Sequence, residues 1–345
     1  MTAPAWIPAL PRGAGADRTP EDRGVPRDGV RLLVSRPSGL GSTVFSRLPE
    51  VLREGDLLVV NESATLSASL PGRAAFGEFR LNVSTAYGPD LWLVEPRHDF
   101  RCPGPLPLRP GDSLEAGGIP GRYVAPYPGI PRLGFFRADG DLGDAMGRVG
   151  RPIHYGYLSR EYPIEEYQTV FSRRPGSAEM PSAARPFTEP LVRALEGAGI
   201  GFATIVLHTG VSSLEWGDGS EGVVPIYPEP FEVPRSTVER IASARARGGR
   251  VIAVGTTVVR ALESAIDEGG VRAARGFTRR YVTPERPVRT LDGLLTGFHE
   301  ATSTHLALLA GFAGIDRIQR DYRFAADGGY LWHEFGDSHL ILRTE

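Results

Sequence analysis

Lysine is missing altogether: the 39 Lys-plus-Arg positions of this 345-residue chain are all arginine. A lysine Schiff base and the phosphate-gripping lysine of a P-loop are therefore excluded. Cysteine occurs once, at Cys102, which excludes an internal disulfide and a Cys-rich metal centre. No apolar run approaches the roughly 18 residues of a membrane span. The opening MTAPAWIPALPRGAGADRTPEDRG has no basic-then-apolar signal pattern, so the expected location is the cytoplasm. Charge of either sign is not in excess. A formal net charge of −2 gives no molecule-wide attraction for nucleic acid, and any such contact must be local. Arg272, Arg275, Arg279, Arg280, Arg286 and Arg289 form one such patch, and Arg173 and Arg174 a smaller one. A solvated surface is the plain alternative for both.

What is present reads as two textures. Residues 1–26 are rich in Pro, Gly and Ala without periodicity and read as an extended arm. RLLVS, TVFSRL and GDLLVVNES, between Arg31 and Ser63, are strand-like. From 62 to 150, short β-rich runs such as RYVAPY and RLGFFRADG alternate with turns and carry hardly any helix signal, as in a small closed β-sheet. After Arg151, strand and helix alternate. PFTEPLVRALEGAGIG is a helix with Thr188 as its N-cap, GFATIVLHTG a strand, PRSTVERIASARARGG a helix and RVIAVGTT a strand. The expected fold is α/β, a mainly parallel sheet with helices built from residues 1–61 and 151–345 and interrupted by a β-barrel insert at 62–150.

Sites in such sheets lie beyond the carboxyl ends of the strands. Those ends carry Asn61, His208-Thr209-Gly210, Gly255-Thr256-Thr257, and His299 followed by Thr302-Ser303-Thr304. The turn Gly255-Thr256-Thr257 is the sharpest of these, since it presents free N–H groups and two hydroxyls at a helix start. An ordinary crossover capped by one of the threonines is the bland alternative.

The segments RDGVRLLV, GDLLVVNES, YQTVFSRRPGS, PSAARPFT, LHTG, RVIAVGTTVVRALE, TGFHEATST and FGDSHLIL follow one another nearly end to end. In order and spacing they resemble the motif series of the S-adenosylmethionine:tRNA ribosyltransferase-isomerases of queuosine biosynthesis. The resemblance implies an α/β domain with an inserted β-barrel. It also implies transfer and isomerisation of the ribosyl part of S-adenosylmethionine onto an aminomethyl-deazaguanine in tRNA, releasing adenine and methionine, with no metal.

Several polar positions depart from that pattern. Ala184-Arg185-Pro186 stands for Gly-Leu-His, and Val224-Pro225-Ile226-Tyr227 for His-x-Met-His. Glu62-Ser63-Ala64 stands for Asp-Thr-Arg, Tyr330-Leu331-Trp332-His333 for Tyr-Arg-Phe-Phe, and Glu179 for a small residue. The implied chemistry needs a base for the proton acidified by the sulfonium, and hydrogen bonds to the departing adenine. His208 and His299 are the histidines on matching strand-end motifs and are the expected catalytic groups. Asp337 is expected to orient a histidine or hold ribose hydroxyls. Gly255, Thr256, Thr257, Tyr167, Gln168 and Thr302 are the expected S-adenosylmethionine contacts, and Arg275, Arg279 and Arg280 the expected contacts to tRNA. A divergent enzyme with a small-molecule acceptor and a non-catalytic adenosyl-ligand-binding homologue are the alternatives. Retention of His208, Thr256, Thr257 and His299 speaks against the second.

Overall fold

The structure is a computed structural model and describes residues 13–99, 102, 104–211, 226–300 and 303–345. One nine-stranded sheet dominates it. The strand order is Ala274–Thr278, Glu229–Val233, Gly201–Leu207, Leu57–Asn61, Val251–Val254, Gly293–Gly297, Ser338–Leu342, Arg31–Arg36 and Gly39–Val44. The parallel pairing expected from strand–helix alternation occupies the centre, where Gly201–Leu207, Leu57–Asn61, Val251–Val254 and Gly293–Gly297 run side by side. Ser338–Leu342 and Arg31–Arg36 form a further parallel pair, and antiparallel pairs complete the sheet.

The central strand shows why the sheet is covered on both faces. All five residues of Leu57–Asn61 are buried. Alternation sends Leu57 and Val59 to one face, against Ile241, Val258 and Leu262, and Leu58 and Val60 to the other, against Phe45, Phe187 and Leu195. Each such side chain contributes about 1.5–3 kcal/mol of burial. The helix Glu189–Gly197 on the second face starts where the sequence indicates, with Thr188 Oγ1 accepting from Leu191 N at 3.3 Å.

Six strands, Ser69–Ala74, Gly77–Ala86, Leu91–Arg97, Ser113–Ala116, Ile119–Tyr127 and Ile130–Ala138, close into a barrel. Its interior holds Leu81, Val94 and Phe136, and the Phe79 ring lies so close to Gly72 that a Cβ there would meet it at 2.6 Å. Ser69 and Arg151 exchange two backbone hydrogen bonds of 2.8 and 3.0 Å where the chain enters and leaves this unit. On this connection we propose the division of the chain into a discontinuous α/β unit and an inserted barrel unit.

Local readings shift in three places. The insert ends in a helix, Leu142–Val149, capped by Asp141, whose side chain accepts from Gly143 N and Asp144 N. Phe45 leaves the expected strand TVFSRL for a 3-10 turn, because Phe45 is needed in the core beneath Phe187. YQTVF, whose apolar and aromatic residues read as a strand, instead begins in a 3-10 turn, Ile164–Tyr167, after Pro163. The described part of the N-terminal arm is tied down by backbone bonds between Ala14, Ala16 and Trp332.

Candidate active site

Beyond the carboxyl ends of the central strands lies a cavity of about 640 Å³. Its floor is the turn Gly255–Thr257, and one side carries Thr296, His299, Glu300, Ser303 and His305. His333 and Glu334 come from the approach to the last strand. Ile153–Tyr157 and Glu179–Ala183 face them, and the barrel contributes Asn82, Glu95, Arg97 and Arg132. The sheet and the barrel thus share one site.

Gly255 enters the helix Thr256–Ser264 at φ 98° and ψ 154°, a backbone state costly for any other residue. Neither threonine caps the helix, so the hydroxyls are not consumed by the turn. Asn61 reaches across from the neighbouring strand end: its Nδ2 donates to Leu207 O at 2.8 Å and toward Thr257 Oγ1 at 3.4 Å, while its Oδ1 accepts from Leu207 N. A helix start and two fixed strand ends are therefore locked together.

His299 is held on three sides. Its backbone N–H donates to the Tyr322 hydroxyl at 3.1 Å, Nε2 lies 3.0 Å from Thr296 Oγ1, and Nδ1 lies 3.2 Å from Nδ1 of His305. Burial first, then His305 and other nearby histidines, hold His299 well below the ordinary imidazole range. His305 is pushed down to about 4 by burial and then by Arg260. Both rings are neutral near pH 7 and so can accept a proton.

His333 sits in the left-handed region at φ 75°, stacked 4.1 Å from the Tyr157 ring. Its Nε2 is 3.5 Å from Glu300 Oε1, but burial lowers the ring to about 4, so the contact is polar and not an ion pair at pH 7. Glu334 Oε2 is buried without a hydrogen-bond partner, and burial raises this carboxyl to about 7. On the barrel wall Glu95 lies between Arg97, at 3.1 Å, and Arg132, and accepts from Asn82 Nδ2 at 3.0 Å.

Of the residues expected from the sequence, Gly255, Thr256, Thr257 and His299 line the cavity together. Thr302 lies outside the described residues. His208 stands behind the wall, with Nδ1 2.8 Å from Ser63 Oγ, which is itself 2.6 Å from Ser177 Oγ. The close fit explains Gly176, where a Cβ would meet His208 Nδ1 at 2.4 Å.

Asp337 is not on the cavity wall. Its carboxylate accepts from Arg31 N at 2.8 Å, Arg31 Nη2 at 2.9 Å and Leu331 N at 2.8 Å, tying the first strand to the last. It orients no histidine: the Asp–His pair of this region is Asp321 with His339, 3.1 Å apart and buried. Tyr167 is buried against Tyr155 and Phe335. Gln168 bonds both backbone atoms of Thr65, at 3.1 and 2.8 Å, so it anchors the end of the short strand Ser63–Thr65 and is not free for a purine. Sequence reasoning missed His305, His333 and Glu334. His305 follows the hydroxyl-rich run TST, and the other two fall in WHEF, where the polar pair between Trp332 and Phe335 was the available signal.

Among the described residues no group of three or more His, Cys, Asp and Glu side chains is arranged to hold a metal ion, and no helix is long and apolar enough to cross a membrane.

Comparison with known proteins places similar chains in one family. The family model described as "Queuosine biosynthesis protein" matches residues 9–341. The S-adenosylmethionine:tRNA ribosyltransferase-isomerase of Thermus thermophilus is 38% identical over 326 residues, covering 92% of this chain and 94% of its own. That of Anaeromyxobacter sp. strain K is 36% identical over 354 residues, covering 97% of each. Among solved structures, the S-adenosylmethionine tRNA ribosyltransferase of Thermotoga maritima is similar with a TM-score of 0.55 at 26% identity, over 98% of this chain and 99% of its own.

Proposed function

Since this chain belongs to the queuosine biosynthesis protein family, we propose that its cavity transfers and isomerises the ribosyl part of S-adenosylmethionine onto an aminomethyl-deazaguanine in tRNA, with release of adenine and methionine. The observation that carries the reading is the meeting of the Gly255–Thr257 helix start and a neutral His299 in one cavity. The helix start offers N–H groups and the hydroxyls of Thr256 and Thr257 to the adenosyl part.

His299 takes the proton from the ribose carbon next to the sulfonium. With Nδ1–H donated to His305, its Nε2 is the lone-pair nitrogen, and the Thr296 hydroxyl must turn away to expose it. His305 acts through His299 and is a positioning residue. Glu334, half protonated near pH 7, suits proton exchange with the departing adenine or with the entering amine. His208 supports the wall through Ser63.

For tRNA, the edge strand Ala274–Thr278 presents Arg275 and Phe277 on its exposed face, with Arg279 continuing the alternation. Phe277 is 54% exposed, so an aromatic platform stands between two cations. Arg280 turns inward, 3.6 Å from Glu263, and is left out of this surface. Use of tRNA and S-adenosylmethionine supports a cytoplasmic location. A small-molecule acceptor is the second reading, favoured by the carboxylates Glu179 and Glu334 in the cavity lining. Incubation with S-adenosylmethionine, with and without tRNA carrying the deazaguanine precursor, tests both. Adenine and methionine appear only with the tRNA if the first reading holds, and a tRNA-independent release or none at all overturns it.

A further inference from the structure

Beside the main cavity lies a second pocket, of about 50 Å³, lined by Glu229, Arg260, Arg280, Tyr281 and Thr304 among others. His305 belongs to both walls, so the two spaces are neighbours across one imidazole.

Three donors on residues lining this pocket are buried without a partner: Arg260 Nη2, Arg280 Nε and the Tyr281 hydroxyl. A buried donor left unmade is costly, and three around one small space form a pattern that a ligand explains. The other two nitrogens of Arg260 are occupied, and Arg280 is held by an ion pair. Arg260 Nη1 bonds Glu229, and Arg260 Nε donates to Arg280 O at 3.2 Å. Arg280 Nη2 lies 3.6 Å from Glu263 Oε2, within ion-pair but not hydrogen-bond range, while Glu263 Oε1 accepts from Arg289 N, Thr290 N and Thr290 Oγ1. The two arginines are thus already fixed in place, and what remains is a preorganised set of N–H and O–H groups. Burial, and then Glu285, push the Tyr281 hydroxyl up to about 12, so at neutral pH it stays protonated and donates. A group with several lone pairs and no proton to give is complementary to such a set.

We infer that this side pocket is a subsite for a compact oxyanion, a carboxylate or a phosphate group, carried by one of the two substrates. The inference rests on the proposed reaction only for the source of that oxyanion. The methionyl carboxylate of S-adenosylmethionine is one source, and a phosphate of the RNA is the other. Size favours a group of about three to five heavy atoms, and Arg–oxyanion hydrogen bonds supply both grip and direction. Glu229 and Glu263 balance the arginines, so recognition comes from directed hydrogen bonds more than from net charge.

Two variants test it. Tyr281→Phe removes one donor and leaves the ring in place, and Arg280→Met removes another while keeping the apolar stem. Calorimetric titration of each variant and of the unaltered protein uses S-adenosylmethionine, its decarboxylated analogue and tRNA. If the carboxylate is the ligand, each variant weakens S-adenosylmethionine binding roughly 10-fold and leaves the decarboxylated analogue unchanged. If phosphate is the ligand, tRNA affinity falls by a similar factor while S-adenosylmethionine is unaffected. Binding of all three within twofold of the unaltered protein overturns the inference, with melting temperatures confirming that both variants are folded. Should the unaltered protein bind neither substrate, the proposed reaction fails on its own. Inorganic phosphate then decides the subsite: saturable binding lost in both variants upholds it, and no binding rejects it.

Discussion

The Nδ1 atoms of His299 and His305 face each other at 3.2 Å, so one imidazole must donate and the other accept, and a single proton lies between them. A proton arriving at Nε2 of His299 can therefore be balanced within a pair that lines the cavity. The desolvation that keeps these rings neutral carries a cost in acid.

That cost gives the first expectation. His305 and His333 ionise only near pH 4 in the folded protein, against about 6.5 in an unfolded chain. Below about pH 6.5 the unfolded state binds these protons first, so stability present at neutral pH is lost as pH falls toward 4. Melting temperature measured from pH 7.5 to 4 should decline through this window, and His305→Asn should flatten part of the decline. A flat profile for the unaltered protein would show that these rings are not held neutral.

Glu334 acts with the opposite sign. Its folded value of about 7 lies above the usual carboxylate value, so the folded state keeps a proton that the unfolded state has released. Its contribution is full below about pH 4.5 and is lost as pH rises through 7. Glu334→Gln, which stays neutral, should be more stable than the unaltered protein at pH 8 by up to about 3 kcal/mol, with the difference vanishing near pH 4.5. Urea unfolding at the two pH values reads this directly. Turnover should fall at the same time, since a group held against its own stability is a feature of working sites.

His299→Asn should reduce adenine release by roughly 100-fold or more while the protein remains folded, as expected for loss of a general base. His208→Asn should act differently, because His208 bonds Ser63 outside the cavity lining. A fall in melting temperature with turnover reduced less than about 10-fold is the expected outcome. Equal kinetic losses with no change in melting would place both histidines against substrate.

Thr257→Val removes a hydroxyl at the helix start while preserving shape. Binding of S-adenosylmethionine should weaken roughly 10-fold by calorimetry, the loss of one or two hydrogen bonds. Unchanged affinity would move the adenosyl group away from this turn.

Phe277→Ala should weaken tRNA binding by about 1–3 kcal/mol if a base stacks there. Arg275→Ala and Arg279→Ala should each flatten the salt dependence of binding by roughly one unit of slope. Binding measured between low and moderate salt that ignores all three substitutions would rule out this edge as the RNA surface.

Much of the architecture is local information. Val251–Val254 followed by a glycine and two threonines can only leave a buried strand through a turn that glycine alone adopts easily, and the structure has that strand, that turn and a helix from Thr256. Thr188 announces its helix in the same way, and the spacing of strands and turns between 69 and 138 indicates a closed β-sheet. These features depend on neighbours in sequence and on alternation, so one dimension suffices.

The site does not. Asp337 and Gln168 look like polar residues kept for a ligand, yet one binds Arg31 across 306 positions and the other Thr65 across 103. Conversely, His305 and Glu334 carry no motif and His333 stands where the motif departs, and their chemistry comes from burial in a cavity that segments far apart in the chain close around. Sequence by itself determined which segments become strands, turns and helices, because backbone freedom and apolar periodicity are local. Which carboxylate is spent on an arginine and which keeps an unpartnered, desolvated oxygen in the cavity wall was decided only by tertiary packing, because desolvation and hydrogen-bond partners exist only once distant segments meet.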